Sequence, residues 1–347
     1  MSRMSFSCDY LEGALPEILK RMEETSMEQV PGYGFDPVSE SAKDKIRRAC
    51  ETPKADIYFL IGGTQTNAVV IDGFLHRYEG VIAAGTGHVA LHEAGAIEYC
   101  GHKVLTIPGS FDKLSAAEVE HYMENFLGDE NHEHMVQPGI VYISQPTEYG
   151  SVYHKDELEA LHETCQKYGL PLYIDGARLA DALAAEDNDV SLPLLAHSCE
   201  AFYIGGTKCG AYIGEAVVFP HHDTIPHFFT LIKEHGALLA KGRLTGIQFD
   251  TLFTDDLYFK AGKHAVDEAN RIRAVLKECG YTFDLENTTN QIFIVLENEK
   301  YKKISEEVEL AFWEKKDDTH TVVRIATSWA TKPENTDRLC AILRQYR

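Results

Sequence analysis

Two stretches decide how this chain folds: Leu172-Tyr173-Ile174-Asp175-Gly176-Ala177-Arg178 and, further along, Phe202-Tyr203-Ile204-Gly205-Gly206-Thr207-Lys208-Cys209-Gly210. Each is a short apolar run that stops at glycine, the pattern of a buried strand. Each places a lone ionisable residue, Asp175 or Lys208, at or just after the strand's carboxyl end. In open α/β sheets ligands collect at that edge. Asp175 there reads either as the cap of a following helix or as a buried acid that needs a cationic partner. Lys208 reads either as a solvated surface charge or as an amine whose desolvation lowers its pKa and makes it a nucleophile.

Working outward, apolar runs alternate with helical patterns from about residue 55 to 220. Strands are expected at Ile57–Ile61, Val81–Ala84, Lys103–Ile107, Gly139–Ser144, Leu172–Ile174, Phe202–Ile204 and Ala216–Phe219. Helices are expected at Thr66–Phe74, Val89–Tyr99, Ala116–Phe126 and Asp156–Tyr168, the last with Leu158, Leu161 and Cys165 on one side. Strands separated by helices predict an α/β fold, a mostly parallel sheet flanked by helices. After about residue 245 the pattern changes to a long helix at Asp255–Cys279 and a strand–helix–strand–helix tail. Its expected elements are Gln291–Val295, Ile304–Glu314, Thr321–Ile325 and Glu334–Tyr346. This divides the chain into a large domain, 1–245, and a small C-terminal α/β domain, 246–347, on which the first fifteen or so residues are expected to pack.

Two further strand ends carry chemistry. Gly62-Gly63-Thr64-Gln65-Thr66-Asn67 stands between a strand and a helix, where glycines admit close approach and free N–H groups meet an anion. It suits a single phosphate or an ordinary strand–helix turn, and it lacks the Gly-Lys-Ser/Thr ending of a nucleotide loop. Gly85-Thr86-Gly87-His88-Val89 offers an imidazole that stacks on a flat group, acts as a base, or is structural. The polar run Gly128–His134 reads as a solvated loop, and no metal site is expected.

Composition bounds the rest. The 347 residues are 44% apolar and 25% charged, with 54 acidic against 33 basic side chains and a formal net charge of −21. That balance excludes nucleic acid and anionic membrane surfaces as natural partners. No apolar run reaches the roughly 18 residues of a membrane span. Eight cysteines without a Cys-x-x-Cys pair fit reduced thiols, and a cytoplasmic enzyme is expected.

Taken together and in this order, these motifs resemble those of the low-specificity threonine aldolase and β-eliminating lyase family, pyridoxal-phosphate enzymes of fold type I with an aspartate-aminotransferase-like large domain. The resemblance runs from Asp9 to Arg324 and includes His88 and Glu93 in His-x-x-x-x-Glu-x-Gly. It implies that Lys208 forms the imine with pyridoxal 5′-phosphate, that Asp175 pairs with the pyridine nitrogen, and that His88 stacks on the ring as a candidate base. It implies Gly63, Thr64 and Thr207 at the phosphate, Thr147 near the ring oxygen, and Arg178 and Arg324 on the substrate carboxylate. Arg243 matches a position that reaches a neighbouring subunit's phosphate, so a homodimer or homotetramer is expected. The chain departs from the family pattern at Glu148, where a histidine is usual, at Lys208-Cys-Gly-Ala and at Cys8-Asp9. Glu148 falls where the substrate is bound. The implied reaction is Cα–Cβ cleavage of a β-hydroxy-α-amino acid, threonine to glycine and acetaldehyde for instance, or of phenylserine-type substrates. β-Elimination or transamination of an amino acid on the same cofactor is the alternative. A nucleotide-dependent enzyme or a non-catalytic binding protein is the reading from another class.

Overall fold

The apolar runs become strands because their side chains find helices on both faces. In the computed structural model, which describes residues 4–108 and 111–347, thirteen strands are assigned among the described residues. They are β1 (Met4–Ser5), β2 (Asp56–Leu60), β3 (Glu79–Ala84), β4 (Lys103–Ile107), β5 (Gln137–Ser144), β6 (Leu172–Asp175), β7 (Ala201–Gly205), β8 (Glu215–Phe219), β9 (Thr282–Leu285), β10 (Gln291–Glu297), β11 (Val308–Glu309), β12 (Ala311–Lys315) and β13 (His320–Ala326).

Seven of them form the large sheet in the order β2-β8-β7-β6-β5-β3-β4. Its pairings are parallel from β4 through β7, and β8 runs antiparallel to both of its neighbours. Alternation along each strand sends Val141, Ile143, Leu172, Ile174, Phe202 and Ile204 to one face, against Leu158, Leu161 and Cys165 of the helix Lys155–Tyr168. The intervening Ile140, Tyr142, Tyr173, Tyr203 and Val217 meet Val69, Val70 and Ile71 of the helix Gly63–Phe74 on the other. Burial on both faces explains why the strands read as continuous apolar runs.

The second sheet is four-stranded and antiparallel, in the order β12-β13-β10-β9. The 22-residue helix Leu257–Glu278 packs against both the helix Leu179–Leu183, below the large sheet, and the helix Pro333–Gln345, on the small one. β1 pairs in parallel with β11, and the Phe6 carbonyl accepts from the Ala326 amide of β13. The first described residues are therefore woven into the small sheet.

Three expectations need correction. The single helix expected at Val89–Tyr99 is two short helices, His88–Leu91 and Ala96–Tyr99. Ala94 and Gly95 between them both take left-handed backbone, φ 52° and 75°, which no α-helix tolerates. The helix expected at Ile304–Glu314 ends at Glu307, having begun at Asn298. From Val308 the apolar positions alternate, and the chain continues as β11 and β12. The tail is thus richer in strand than expected, with β9 and β12 flanking the two strands that were anticipated.

Candidate active site

Two glycines let the site form. A Cβ on Gly176 would lie 2.0 Å from the Tyr203 carbonyl oxygen, and one on Gly205 would lie 2.4 Å from the Ala177 carbonyl oxygen. No other residue allows the ends of β6 and β7 to cross this closely. The crossing brings Asp175 and Lys208 into one cleft, lined also by Gly63, His88, Ser144, Thr147, Glu148, Arg178 and Tyr203.

Asp175 closes β6 and is buried. Its Oδ2 accepts from Asn67 Nδ2 at 2.9 Å and from the Tyr142 hydroxyl at 2.8 Å, and Oδ1 accepts from the Ala177 amide at 2.9 Å. Burial raises its pKa, but the His88 ring and bonds from Tyr203, Asn67 and the Ala177 amide outweigh that and hold it below the usual range. The acid stays ionised because donors surround it.

Lys208 is the opposite case. Desolvation, with the Arg178 guanidinium adding to it, pushes its amine below the usual lysine value against the pull of Asp9, Asp175 and Glu215. No hydrogen-bond partner of its amine is found among the described residues. An unengaged amine made less basic, in one cleft with a fixed carboxylate, is what imine formation needs.

His88 begins a helix and is tied down twice. Its amide donates to Glu148 Oε1 at 3.0 Å, and its Nδ1 stands 2.8 Å from Glu93 Oε1. Burial opposes its charge, yet the bond to Glu93 and the nearby Asp175 raise its pKa overall. Glu148 Oε1 also accepts from the Ser144 hydroxyl at 2.7 Å. Burial, reinforced by Asp175, raises the Glu148 pKa despite the bond from Ser144 and the nearby His88.

Arg178 gives two donors to the buried Asp9, Nε to Oδ2 and Nη2 to Oδ1, the latter at 3.0 Å. Asn290 Nδ2 also donates to Asp9, at 2.8 Å. Although buried, Asp9 is held far below the usual carboxylate range by Arg178. Arg324, on β13, donates from Nη2 to the Ser7 carbonyl at 2.8 Å and from Nη1 to Gln291 Oε1 at 3.1 Å. Its Nε is buried without a partner among the described residues, and its guanidinium lies 5.2 Å from the Trp313 ring centre. Burial and the neighbouring Arg178 lower its pKa. Two guanidiniums that interact at the edge of an acid-lined cleft mark a place for an anion.

Other expected residues are placed differently. Thr64 is exposed in the first turn of the helix Gly63–Phe74, whose N-cap Gly62 provides no side-chain cap. The amides of that turn therefore remain open to an anion. Thr147 lines the cleft, but its hydroxyl donates to Asp112 and accepts from the Ser151 amide at 3.1 Å. Thr207 is not in the lining; its hydroxyl donates to Glu215 Oε1 at 2.7 Å, because a buried carboxylate is the stronger acceptor at hand. Arg243 lies away from this chain's cleft. It donates to the carbonyls of Thr25, Ser26 and Glu28, closing the end of the helix Pro16–Thr25.

Sequence reading missed Asn67, Tyr142, Ser144, Tyr203 and Glu215. Asn67 alone had a visible signal, a polar residue within the apolar helix Gly63–Phe74. Among the described residues no group of three or more His, Cys, Asp or Glu could hold a metal ion, and no helix is long and apolar enough to cross a membrane.

Comparison with known proteins now has a geometry to meet. The computed fold superposes on the solved threonine aldolase of Leishmania major with a TM-score of 0.95, at 40% identity and covering 99% of each chain. The low specificity L-threonine aldolase of Pseudomonas sp. is 32% identical over 75% of this chain and 74% of its own. Aspartate aminotransferase of Thermus thermophilus, at 14% identity, shares the fold with a TM-score of 0.71 over 100% of this chain and 97% of its own. A sequence model described as beta-eliminating lyase matches residues 6–302. With its lysine, its acid and Arg178 gathered at the carboxyl ends of a doubly flanked sheet and Arg324 brought up from the small one, the chain belongs to the beta-eliminating lyase family.

Proposed function

We propose that this protein is a pyridoxal-phosphate-dependent lyase that cleaves the Cα–Cβ bond of β-hydroxy-α-amino acids, threonine being the model substrate. The observation that carries the reading is the pairing of Lys208, an amine made less basic by desolvation, with Asp175, a buried acid kept ionised, across one cleft. The aldolase relatives support the same reaction class.

The residues present fit the cofactor. Lys208 would hold its carbonyl carbon, Asp175 its ring nitrogen, and the open amides of Gly63 and Thr64 its phosphate, with Thr207 beside them and His88 against the ring. Thr147 would stand near the ring oxygen. When bound, pyridoxal phosphate supplies an electron sink for the pair left at Cα. The protein supplies the rest. The ionised Asp175 keeps a proton on the ring nitrogen opposite it. Arg178 and Arg324 hold the substrate carboxylate and thereby fix which bond at Cα stands ready to break. Arg178 offers the donors that Asp9 leaves free.

The β-hydroxyl proton needs an acceptor, and two groups in the cleft can take it: His88 and Glu148, which stands where relatives of the family usually carry histidine. A buried carboxylate with a raised pKa is a better base near neutral pH than an exposed one. Glu148 also stands where the substrate side chain would lie.

We further propose a cytoplasmic homodimer or homotetramer in which Arg243 reaches the phosphate of the adjoining subunit. All eight cysteines are unpaired, in keeping with a reducing compartment.

The test is a substrate screen on the yellow enzyme. Glycine and acetaldehyde formed from threonine, and lost in Lys208→Ala, are the expected result. Keto acid and ammonia without glycine would assign β-elimination or deamination instead. A protein that stays colourless with added pyridoxal phosphate would overturn both.

A further inference from the structure

Glu215 is a buried acid that the reaction does not use. It opens β8, is 3% exposed, and stands between Leu60 of β2 and Gly205 of β7 in the sheet. Among the described residues its carboxylate makes no ion pair. It is satisfied by two neutral donors instead: the Gly206 amide to Oε2 at 3.0 Å and the Thr207 hydroxyl to Oε1 at 2.7 Å. Thr207 accepts in turn from the Gly214 amide at 3.1 Å, so the loop carrying Lys208 is pinned to this acid.

The surroundings do little to stabilise a charge here. The ionisable groups that interact with Glu215 are Lys208, Asp175, Tyr173, Tyr203, Cys209 and Tyr258. Of these Lys208 alone is cationic. Leu60 faces it from β2, and the helix Arg243–Leu252 presents Thr245 and Phe249 to the adjoining Gly214. Burial, opposed by the Thr207 bond and by Lys208, pushes the Glu215 pKa up to about 7. Ionising an unpaired acid in such a place is unfavourable, and an anion arriving nearby makes it harder still.

Leu60 and Gly205 both pair with Glu215, so the donors that Glu215 holds follow a strand that ends at the same sheet edge as the one leading into the open helix N-terminus at Gly63. We propose that Glu215 is a proton-linked gate on cofactor retention: ionised, it keeps the Gly206 amide and Thr207 hydroxyl and repels the phosphate; protonated, it releases them and carries its own proton as a donor. The proposal rests on the reading of this strand end as the phosphate side. It makes cofactor occupancy fall as pH rises through the range where Glu215 loses its proton.

The experiment is equilibrium binding of pyridoxal phosphate, and of pyridoxal lacking the phosphate, to the wild type and to Glu215→Gln between pH 6 and 9. The readouts are imine absorbance and quenching of tryptophan fluorescence. For pyridoxal phosphate, wild-type affinity is expected to fall about tenfold per pH unit relative to Glu215→Gln once Glu215 ionises, the slope of one linked proton. With pyridoxal the two proteins should run in parallel. Equal slopes for both proteins with pyridoxal phosphate would overturn the gate. Should Glu215→Gln not fold, calorimetry of the wild type in two buffers of different ionisation enthalpy decides: more proton uptake with pyridoxal phosphate than with pyridoxal supports the gate, and equal uptake removes it. Failure of pyridoxal phosphate itself to form an imine at any pH would instead overturn the cofactor reading.

Discussion

Asp9 and Arg178, 169 positions apart in sequence, meet as a two-point ion pair at the wall of the cleft, with the carboxylate fully buried. The pair orients a guanidinium that lines the cleft. Asp9→Ala leaves that cation without its partner and is expected to cost about 3–5 kcal/mol of stability. Asp9→Asn should cost less and raise KM for threonine more than it lowers kcat. Urea unfolding and initial-rate kinetics measure the two effects separately.

Glu148 gives a prediction with a sign. Its pKa is raised, burial being the main cause, so it becomes a base only above that value. kcat/KM for threonine should therefore rise with pH through an acid limb that Glu148→Gln abolishes, with a loss of about 10²–10⁴-fold if it takes the β-hydroxyl proton. If His88 is the sole base, the variant keeps the limb. The same group acts on stability in the other direction: its contribution is full below the unfolded-state pKa and is lost as pH rises through the raised folded value. Thermal melts of wild type and Glu148→Gln across pH 4–8 should diverge accordingly.

Asp175→Asn preserves shape and removes the charge that we propose to pair with the cofactor's ring nitrogen. A loss of about 2–5 kcal/mol in transition-state stabilisation is expected, the range for truncating one member of a buried charge pair. Steady-state kinetics on enzyme saturated with pyridoxal phosphate provides the measurement.

Gly176→Ala tests the crossing of β6 and β7. The new methyl would meet the Tyr203 carbonyl oxygen at 2.0 Å, and backbone cannot move aside as a side chain does. Overpacking of about 1–3 kcal/mol or more is expected. Gly128→Ala, where a Cβ meets nothing within 4 Å at the end of the helix Ala116–Gly128, is the control and should leave stability unchanged or raise it.

The large sheet was legible because strands buried on both faces are written as uninterrupted apolar runs, and they ended where glycine, proline or a polar residue stood. The pairing of Asp175 with Lys208 was legible for the same reason: strand ends converge in space. The partners of those residues were not. Tyr142 and Tyr203 look like ordinary strand aromatics until the register turns their hydroxyls toward Asp175 and the cleft. Glu215 looked like the first residue of a strand, and nothing local announces that its carboxyl would claim the Thr207 hydroxyl. The helices Pro16–Thr25 and Pro37–Ala49 did carry their start signals, a proline in the first turn of each and Asp36 capping the Ser39 amide. The break in Val89–Tyr99 depended on Ala94 adopting a conformation that its composition does not suggest.

The pairing of β1 with β11, followed three residues past Phe6 by Asp9 and then by the Leu15 amide on the Gly210 carbonyl, ties one short segment to both sheets. A growing chain can assemble the large sheet from local βαβ units as each emerges. The wall formed by Asp9, Arg178 and Arg324 has no such route, since Asp9 must wait for Arg178 and Asn290, and Ser7 for Arg324, made more than three hundred residues later. Long-range closure of this kind is slow. The cleft is therefore incomplete until β13 has been made, and a nascent chain stalled before that strand would carry its lysine and its acid without Arg324.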